Sequence, residues 1–200
     1  MTDELILVRH GETLHNVAGI AQGWGDSELS ERGQQQVARA AARLKTFKPD
    51  AIYSSPLQRA LTTAQKIATT TNLGVKVLDG LREMNYGRWE GQRFLEVRKT
   101  DEQSYSRWMD EPEFPCPDGE SHNDVLRRIE QALASIEGAK RAVLVTHGTA
   151  IRIAATALMR LPVSASRHFA QDNAAINIFV RRGERWVLKL WNDTTHCTEG

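Results

Sequence analysis

Leu5-Ile6-Leu7-Val8-Arg9-His10-Gly11 and Ala142-Val143-Leu144-Val145-Thr146-His147-Gly148 decide how this chain folds. Each is a short, unbroken apolar run that ends in polar residues and a glycine. A strand with one wet face would alternate apolar and polar residues. These do not, so both read as strands covered on two faces, as in a parallel sheet between helices. Outward from them the same grammar repeats. Ser30 to Phe47 carries Val37, Ala40, Ala41 and Leu44 at helical spacing behind Ser30 as N-cap. Ala51 to Tyr53 reads as a strand, followed by a helix with Ser55 as N-cap, Pro56 at its first position and Gln58 closing a capping box. Val75 to Val77 is a third strand, and Ser121 with Asp124 caps a helix whose inner face is Val125, Ile129, Ala132, Leu133 and Ile136. Ala150 to Leu161 is a helix stopped by Pro162, and Ala175 to Val180 pairs with Trp186 to Leu190 around a turn at 182–184. The expected fold is α/β: one domain over 1–200, a three-layer α/β/α sandwich. Its central sheet has about six mostly parallel strands with an antiparallel edge strand. From Leu81 to Pro117 the periodicity fades, and a covering segment of loops and short helices is expected at about 84–120.

Composition narrows the function. The 200 residues contain 26 Lys+Arg and 25 Asp+Glu, leaving a formal charge of +1. That balance argues against a protein that coats nucleic acid or an anionic membrane. A chain of this length can bury about 70% of its unfolded surface, so a core needs no staples. Cys116 and Cys197 share no CxxC spacing, which points to neither a disulfide framework nor a zinc site. The acidic N-terminal residues and the short run behind them resemble neither a signal peptide nor a spanning helix, so a cytoplasmic protein is expected.

In a parallel sheet, ligands sit beyond the carboxyl ends of the strands. His10-Gly11 and His147-Gly148 each stand there, and if their strands are neighbours the two imidazoles converge. One strand-His-Gly is usually a histidine bonded within a turn; two in one small sheet make a site. A metal centre would need carboxylate or cysteine companions, and only Glu12 is near, while Arg9 is a permanent cation beside His10. An anion site uses Arg9 well. Arg59, about one turn into the helix after the second strand, could reach the same crevice. Two guanidinium forks, two imidazoles and the Gly148 N–H suit a phosphate, and no glycine-rich nucleotide loop is present. Fixed positive charge and a histidine nucleophile can carry phosphoryl transfer. The leaving alkoxide then needs a proton from a carboxylic acid, for which Glu83, Glu12 and Asp79 are candidates.

These residues resemble a known family. Leu7-Val8-Arg9-His10-Gly11-Glu12-Thr13 with Asn16, Gln22-Gly23 with Leu29 to Gly33, Tyr53 to Ala60, Arg82 to Gly91, and Val145 to Gly148 are similar to the blocks of the histidine phosphatase superfamily, in its phosphoglycerate mutase-like branch. The resemblance implies that His10 becomes phosphohistidine. It implies further that Arg9, Arg59 and His147 bind the phosphoryl oxygens with Asn16 and Gly148 helping, that Gln22 and Gly23 close over the phosphate, and that Glu83 is the acid. No metal or other cofactor is implied. The block after Glu83 is similar to that of phosphatase members. A small phosphorylated metabolite is therefore the expected partner, with broad-specificity, α-ribazole phosphate and phosphoserine types as the choices. A cofactor-dependent phosphoglycerate mutase is the alternative reading, and a non-catalytic phospho-ligand binder is the alternative from another class. A homodimer is compatible with all three. His15 and His122 are expected to be solvated, His168 and His196 structural or exposed, and Arg127 and Arg128 surface charges. Trp24, Trp89 and Trp108 are weighed as lining of a substrate mouth, with core packing preferred, and Asp172-Asn173 is expected to form a turn.

Overall fold

The computed structural model describes residues 2–198. In chain order the elements are β1 (Glu4–Arg9), α1 (Leu14–Ala18), α2 (Glu31–Thr46), β2 (Ala51–Ser54), α3 (Gln58–Thr71), β3 (Val75–Val77), α4 (Phe94–Thr100), α5 (Glu102–Asp110), α6 (His122–Ala134), β4 (Arg141–Thr146), α7 (Gly148–Met159), β5 (Ile176–Arg182) and β6 (Arg185–Asp193). The strands form one sheet in the order β3-β2-β4-β1-β5-β6. β1, β2, β3 and β4 are parallel, whereas β5 runs against β1 and β6 against β5. The reversed strand is thus β5, one place in from the edge, and β6 outside it points the same way as β1.

Two-residue periodicity divides the core. Ile6, Val8, Ile52, Val143 and Val145 pack under Ala41 and Leu44 of α2 and Ala60, Ala64 and Ile67 of α3. Leu5, Leu7, Tyr53, Ala142 and Leu144 face the other way, under Val125 and Ile129 of α6 and Ile151, Ala154 and Ala155 of α7. Both faces are covered, which is why these strands read as continuous apolar runs. This is the three-layer α/β/α arrangement expected. Residues 79–120 lie on the α6–α7 side as short turns, α4 and α5. They are held by an aromatic cluster in which Trp108 meets Tyr86, Trp89, Phe94 and Tyr105 at centroid distances of 6.1, 5.6, 6.5 and 5.7 Å. Cys116 is buried in the same cluster and free, and burial pushes its thiol pKa up.

Of the three helix starts whose caps are expected from the sequence, two follow the local rule and one does not. Ser30 Oγ accepts from Gly33 N at 2.9 Å, and Ser121 with Asp124 forms the capping box at α6. At α3 the helix begins at Gln58, with Leu57 at the cap position and no side-chain cap bond. Ser55 does not cap it. Its Oγ accepts from Leu57 N at 3.2 Å and lies 2.8 Å from His147 Nε2. The α3 donors instead reach Asp26, whose Oδ2 accepts from Gln58 N at 2.8 Å. A long-range carboxylate has taken the cap, and the local serine serves a histidine.

Gly11 is required by packing rather than by φ. A Cβ there would lie 2.6 Å from Val37 Cγ2 and 2.7 Å from the Gly33 carbonyl oxygen, so α2 rests directly on the backbone beside His10. Gly11→Ala is expected to lower the urea-unfolding free energy by about 1–3 kcal/mol. The midpoint should move with the m-value unchanged; an unshifted midpoint would show that α2 can give way freely.

Candidate active site

Parallel pairing of β1 with β4 sets Arg9 opposite Thr146, so the residues after them emerge side by side. The His10 and His147 ring centroids are 5.2 Å apart. β2 lies on the other side of β4 with Ser54 opposite Val145, which brings Ser55 and then Arg59 to the same end. Arg9, His10, Asn16, Gln22, Gly23, Arg59, Glu83 and Gly148 line one cavity of about 210 Å³. His147 lies behind His10, fully buried, and does not itself line the cavity. Of the three candidate acids only Glu83 is there. Glu12 accepts from Ser30 Oγ and pairs with Arg32, and Asp79 pairs with Arg82.

His10 has a defined tautomer. Its Nδ1 is 2.7 Å from the Gly11 carbonyl oxygen, which can only accept, so Nδ1 carries the proton and Nε2 the lone pair. Burial holds the His10 pKa well below the ordinary 6.5, and the Arg59 and Arg9 charges lower it further against the Gly11 hydrogen bond. His147 is likewise held low by burial, then by Arg59, His10 and Arg9. Both rings are neutral near pH 7.

The two cations are anchored to loops through their terminal nitrogens. Arg9 Nη1 donates to the Gln171 carbonyl at 2.6 Å. Arg59 Nη2 donates to the Gly23 carbonyl at 2.7 Å, and its Nη1 donates to the Gly25 carbonyl and pairs with Asp26 at 2.9 Å. What each leaves over is a buried Nε–H with no partner among the described residues, and Gln22 Oε1 is buried and unpartnered among them as well. Such groups cost about 1–3 kcal/mol each unless a ligand meets them. Asn16 Oδ1 accepts from Thr13 N and from Asn173 Nδ2, which leaves its amide NH₂ for the cavity.

Glu83 is held by the backbone. Its Oε1 accepts from Met84 N at 2.8 Å and Ala150 N at 3.2 Å, and its Oε2 from Thr149 N at 3.1 Å. Two of these donors are free N–H groups in the first turn of α7. The loop that carries Glu83 is in turn clamped by Arg128. Its guanidinium donates to the Gly80, Arg82 and Glu83 carbonyls and binds both oxygens of Glu120. Arg127 is an exposed surface charge as expected, but Arg128 is not. Besides Glu120, its partners are backbone carbonyls 45 to 48 residues away, which its own helix gives no sign of.

Several site residues escaped the sequence reading. Tyr86, Phe94, Thr149, Arg152 and Gln171 also line the cavity. Arg152 stands one helical turn after Gly148, a spacing that could have flagged it. Glu90 accepts from Trp24 N at 2.8 Å and Gly25 N at 3.0 Å and so shapes the 22–25 loop. At Gly23, with φ +52°, a Cβ would lie 1.8 Å from Glu90 Oε1, so only glycine fits. Asn173, expected only in a turn, also donates to the His10 carbonyl at 3.3 Å. Trp89 and Trp108 are core residues; Trp24 is partly exposed and donates its Nε1–H to the Glu83 carbonyl at 2.9 Å. None of the three lines the cavity. His122 is not solvated: it packs on Trp108 at 5.0 Å, and burial lowers its pKa to about 4. His168 is exposed and His196 bonds the Ala174 carbonyl, as structural residues would. Among the described residues no cluster of three or more His, Cys, Asp or Glu could hold a metal ion, and no helix is long and apolar enough to cross a membrane.

Two measurements follow from these arrangements. Folded-state pKa values below the unfolded 6.5 mean that the unfolded chain binds more protons in acid, so stability falls as pH drops below about 6.5. Tm should therefore decline between pH 7 and 5; a flat profile would contradict the buried neutral imidazoles. Arg128→Ala removes the cation beside Glu120 and leaves the Gly80 and Arg82 carbonyls without their donor, and is expected to cost about 2–3 kcal/mol in urea unfolding. That is less than for a fully buried pair, because both side chains are partly exposed.

The chain matches the histidine phosphatase superfamily (branch 1) over residues 5–194. It is 34% identical over 200 residues to phosphoserine phosphatase 1 of Hydrogenobacter thermophilus, with 98% of this chain and 95% of that one covered. It is 35% identical over 203 residues to a metal-independent phosphoserine phosphatase of Arabidopsis thaliana, covering 98% and 83%. A solved structure of a phosphoserine phosphatase variant from Entamoeba histolytica in complex with phosphoserine superposes with TM-score 0.86 at 35% identity, covering 98% of this chain and 99% of that one. On the match to nearly its whole length, this chain belongs to branch 1 of the histidine phosphatase superfamily.

Proposed function

We propose that His10 Nε2 attacks the phosphorus of a small phosphomonoester and that Glu83 handles the protons on either side of the resulting phosphohistidine. The chain is a phosphatase by its family; the assignment of roles to its residues is ours. The observation that carries it is the Nδ1–Gly11 hydrogen bond at 2.7 Å, which points a neutral, unprotonated Nε2 at a cavity holding Arg9 and Arg59.

In the first step the Nε2 lone pair forms a P–N bond while the P–O ester bond breaks. The Arg9 and Arg59 Nε–H groups and the Gly148 N–H meet the equatorial oxygens. We assign the Ser55 hydroxyl as donor to His147 Nε2, which puts that ring's proton on Nδ1, a buried atom with no partner among the described residues. Protonated Glu83 gives its proton to the leaving alkoxide. In the second step a water attacks phosphorus, Glu83 takes its proton, the P–N bond breaks, and phosphate leaves with His10 neutral again. No step needs a metal. Gln22, Gly23 and the segment at about 84–120 cover the phosphate, Phe94 and Tyr86 from that segment forming part of the wall. We also place the enzyme in the cytoplasm, and its near-neutral charge supports action on a metabolite rather than on a polyanion.

His10→Ala should lose both turnover, by at least about 10³-fold, and the acid-labile, base-stable phosphoryl label. Full activity in that variant would end the proposal. Glu83→Gln should slow alkyl phosphates by about 10²-fold more than p-nitrophenyl phosphate, whose leaving group needs no proton. Equal losses on both would remove Glu83 from proton transfer. Isomerisation of 3-phosphoglycerate, stimulated by 2,3-bisphosphoglycerate and faster than hydrolysis, would favour a mutase; phosphate binding with no turnover on any ester would favour a binder.

A further inference from the structure

We propose that Trp24, which lies outside the cavity, is a positioning residue for the acid: its indole N–H fixes the peptide unit between Glu83 and Met84, and through that unit the Glu83 carboxyl. The inference rests on the reading of Glu83 as the acid and deepens it, from the group that moves the proton to the group that holds it in place.

The Glu83–Met84 peptide unit is planar and is held at both ends. Its N–H, that of Met84, donates to Glu83 Oε1 at 2.8 Å. Its oxygen, the Glu83 carbonyl, accepts from Trp24 Nε1 at 2.9 Å and from Arg128 Nη2 at 2.8 Å, which uses both lone pairs. Turning this plane would swing the Met84 N–H off the carboxyl, so whatever fixes the oxygen also fixes the acid. The two donors differ in reach. Arg128 comes from α6 and also binds the Gly80 and Arg82 carbonyls, so it holds the loop as a whole. Trp24 comes from the 22–25 loop and has a single N–H to give.

That loop also holds Arg59. Gly23 and Gly25 give the guanidinium their carbonyls, each at 2.7 Å. Glu90 ties the same loop to the acid segment, its carboxylate accepting from Trp24 N, Gly25 N and Tyr86 N at 2.8, 3.0 and 3.2 Å. A continuous set of hydrogen bonds thus runs from the phosphate-binding cation through the loop to the acid.

Burial does not account for where the indole sits. Trp24 is 42% exposed, whereas Trp89 and Trp108 are core residues, so apolar burial contributes little to placing its ring. Directed contacts place it instead: the N–H on Glu83 and the Arg82 guanidinium over the ring, 5.1 Å from its centroid. The donor, more than the ring, is what the acid uses.

The test separates donor from bulk. Trp24→Phe keeps a ring and removes the N–H, whereas Trp24→His keeps a ring N–H at the ε position and removes the second ring. For each variant, kcat/KM for phosphoserine, whose alkoxide needs a proton, is compared with that for p-nitrophenyl phosphate, whose leaving group does not. Trp24→Phe should lower the first by about fivefold more than the second, the order expected for one hydrogen bond, and Trp24→His should recover about half of that difference. In a Glu83→Gln background no acid remains to be positioned, so Trp24→Phe should add no further selective loss. Equal losses on both substrates would overturn the inference. So would a selective loss as large in Trp24→His as in Trp24→Phe, or one that adds in full to that of Glu83→Gln. Glu83→Gln alone separates the two readings. If it shows no selective loss, the acid assignment fails; if it shows one and Trp24→Phe does not, only the positioning assignment fails.

Discussion

Burying Arg59 is the constraint around which the site is built. Its side chain is 2% exposed and stands beside two imidazoles, where an uncompensated guanidinium would cost several kcal/mol. The chain answers with dipoles more than with charge: carbonyls of Gly23 and Gly25, and only one carboxylate, Asp26. Because those carbonyls belong to a loop, solvating the cation also folds the loop. Asp26 then caps α3, the helix that carries Arg59, so cation, loop and helix start are one hydrogen-bonded unit. Arg9 with Gln171 and Arg128 with residues 80–83 repeat the device. The dispersed use of carbonyls leaves positive potential in the cavity that paired carboxylates would have cancelled.

The sheet and most helices were legible because they rest on periodicity and on contacts within a few residues. The runs at Leu5 to Val8 and Ala142 to Val145 declared a doubly covered sheet, and Ser30 and Ser121 capped as local rules say. Convergence of His10 and His147 was legible from two like strand ends, each Val-x-His-Gly. The misreadings share one cause: a side chain whose partner is remote in sequence. Ser55 looked like a cap until His147, 92 residues on, claimed its oxygen. Arg128 looked like surface because three of its partners are carbonyls, which, unlike its fourth partner Glu120, leave no trace in a sequence. His122 looked solvated because nothing nearby announces the Trp108 ring beneath it.

Segment 79–120 resisted reading because its order comes from aromatic packing rather than from repeat. Tyr86, Trp89, Phe94, Tyr105 and Trp108 hold one another and sit on the α6–α7 face, so α4 and α5 need no strong amphipathic pattern of their own. The same cluster presents Tyr86 and Phe94 to the cavity, which joins the packing of this segment to the shape of the site.

Cys116 gives that segment an intrinsic reporter. Its thiol is fully buried and its pKa is raised by burial, so packing of the segment shields it from reagents that attack thiolates. Alkylation of Cys116 at fixed reagent concentration is then a clock for local opening, read against half-exposed Cys197 in the same chain. The cysteine that lines no part of the cavity thus measures local exposure of the segment that carries Tyr86 and Phe94.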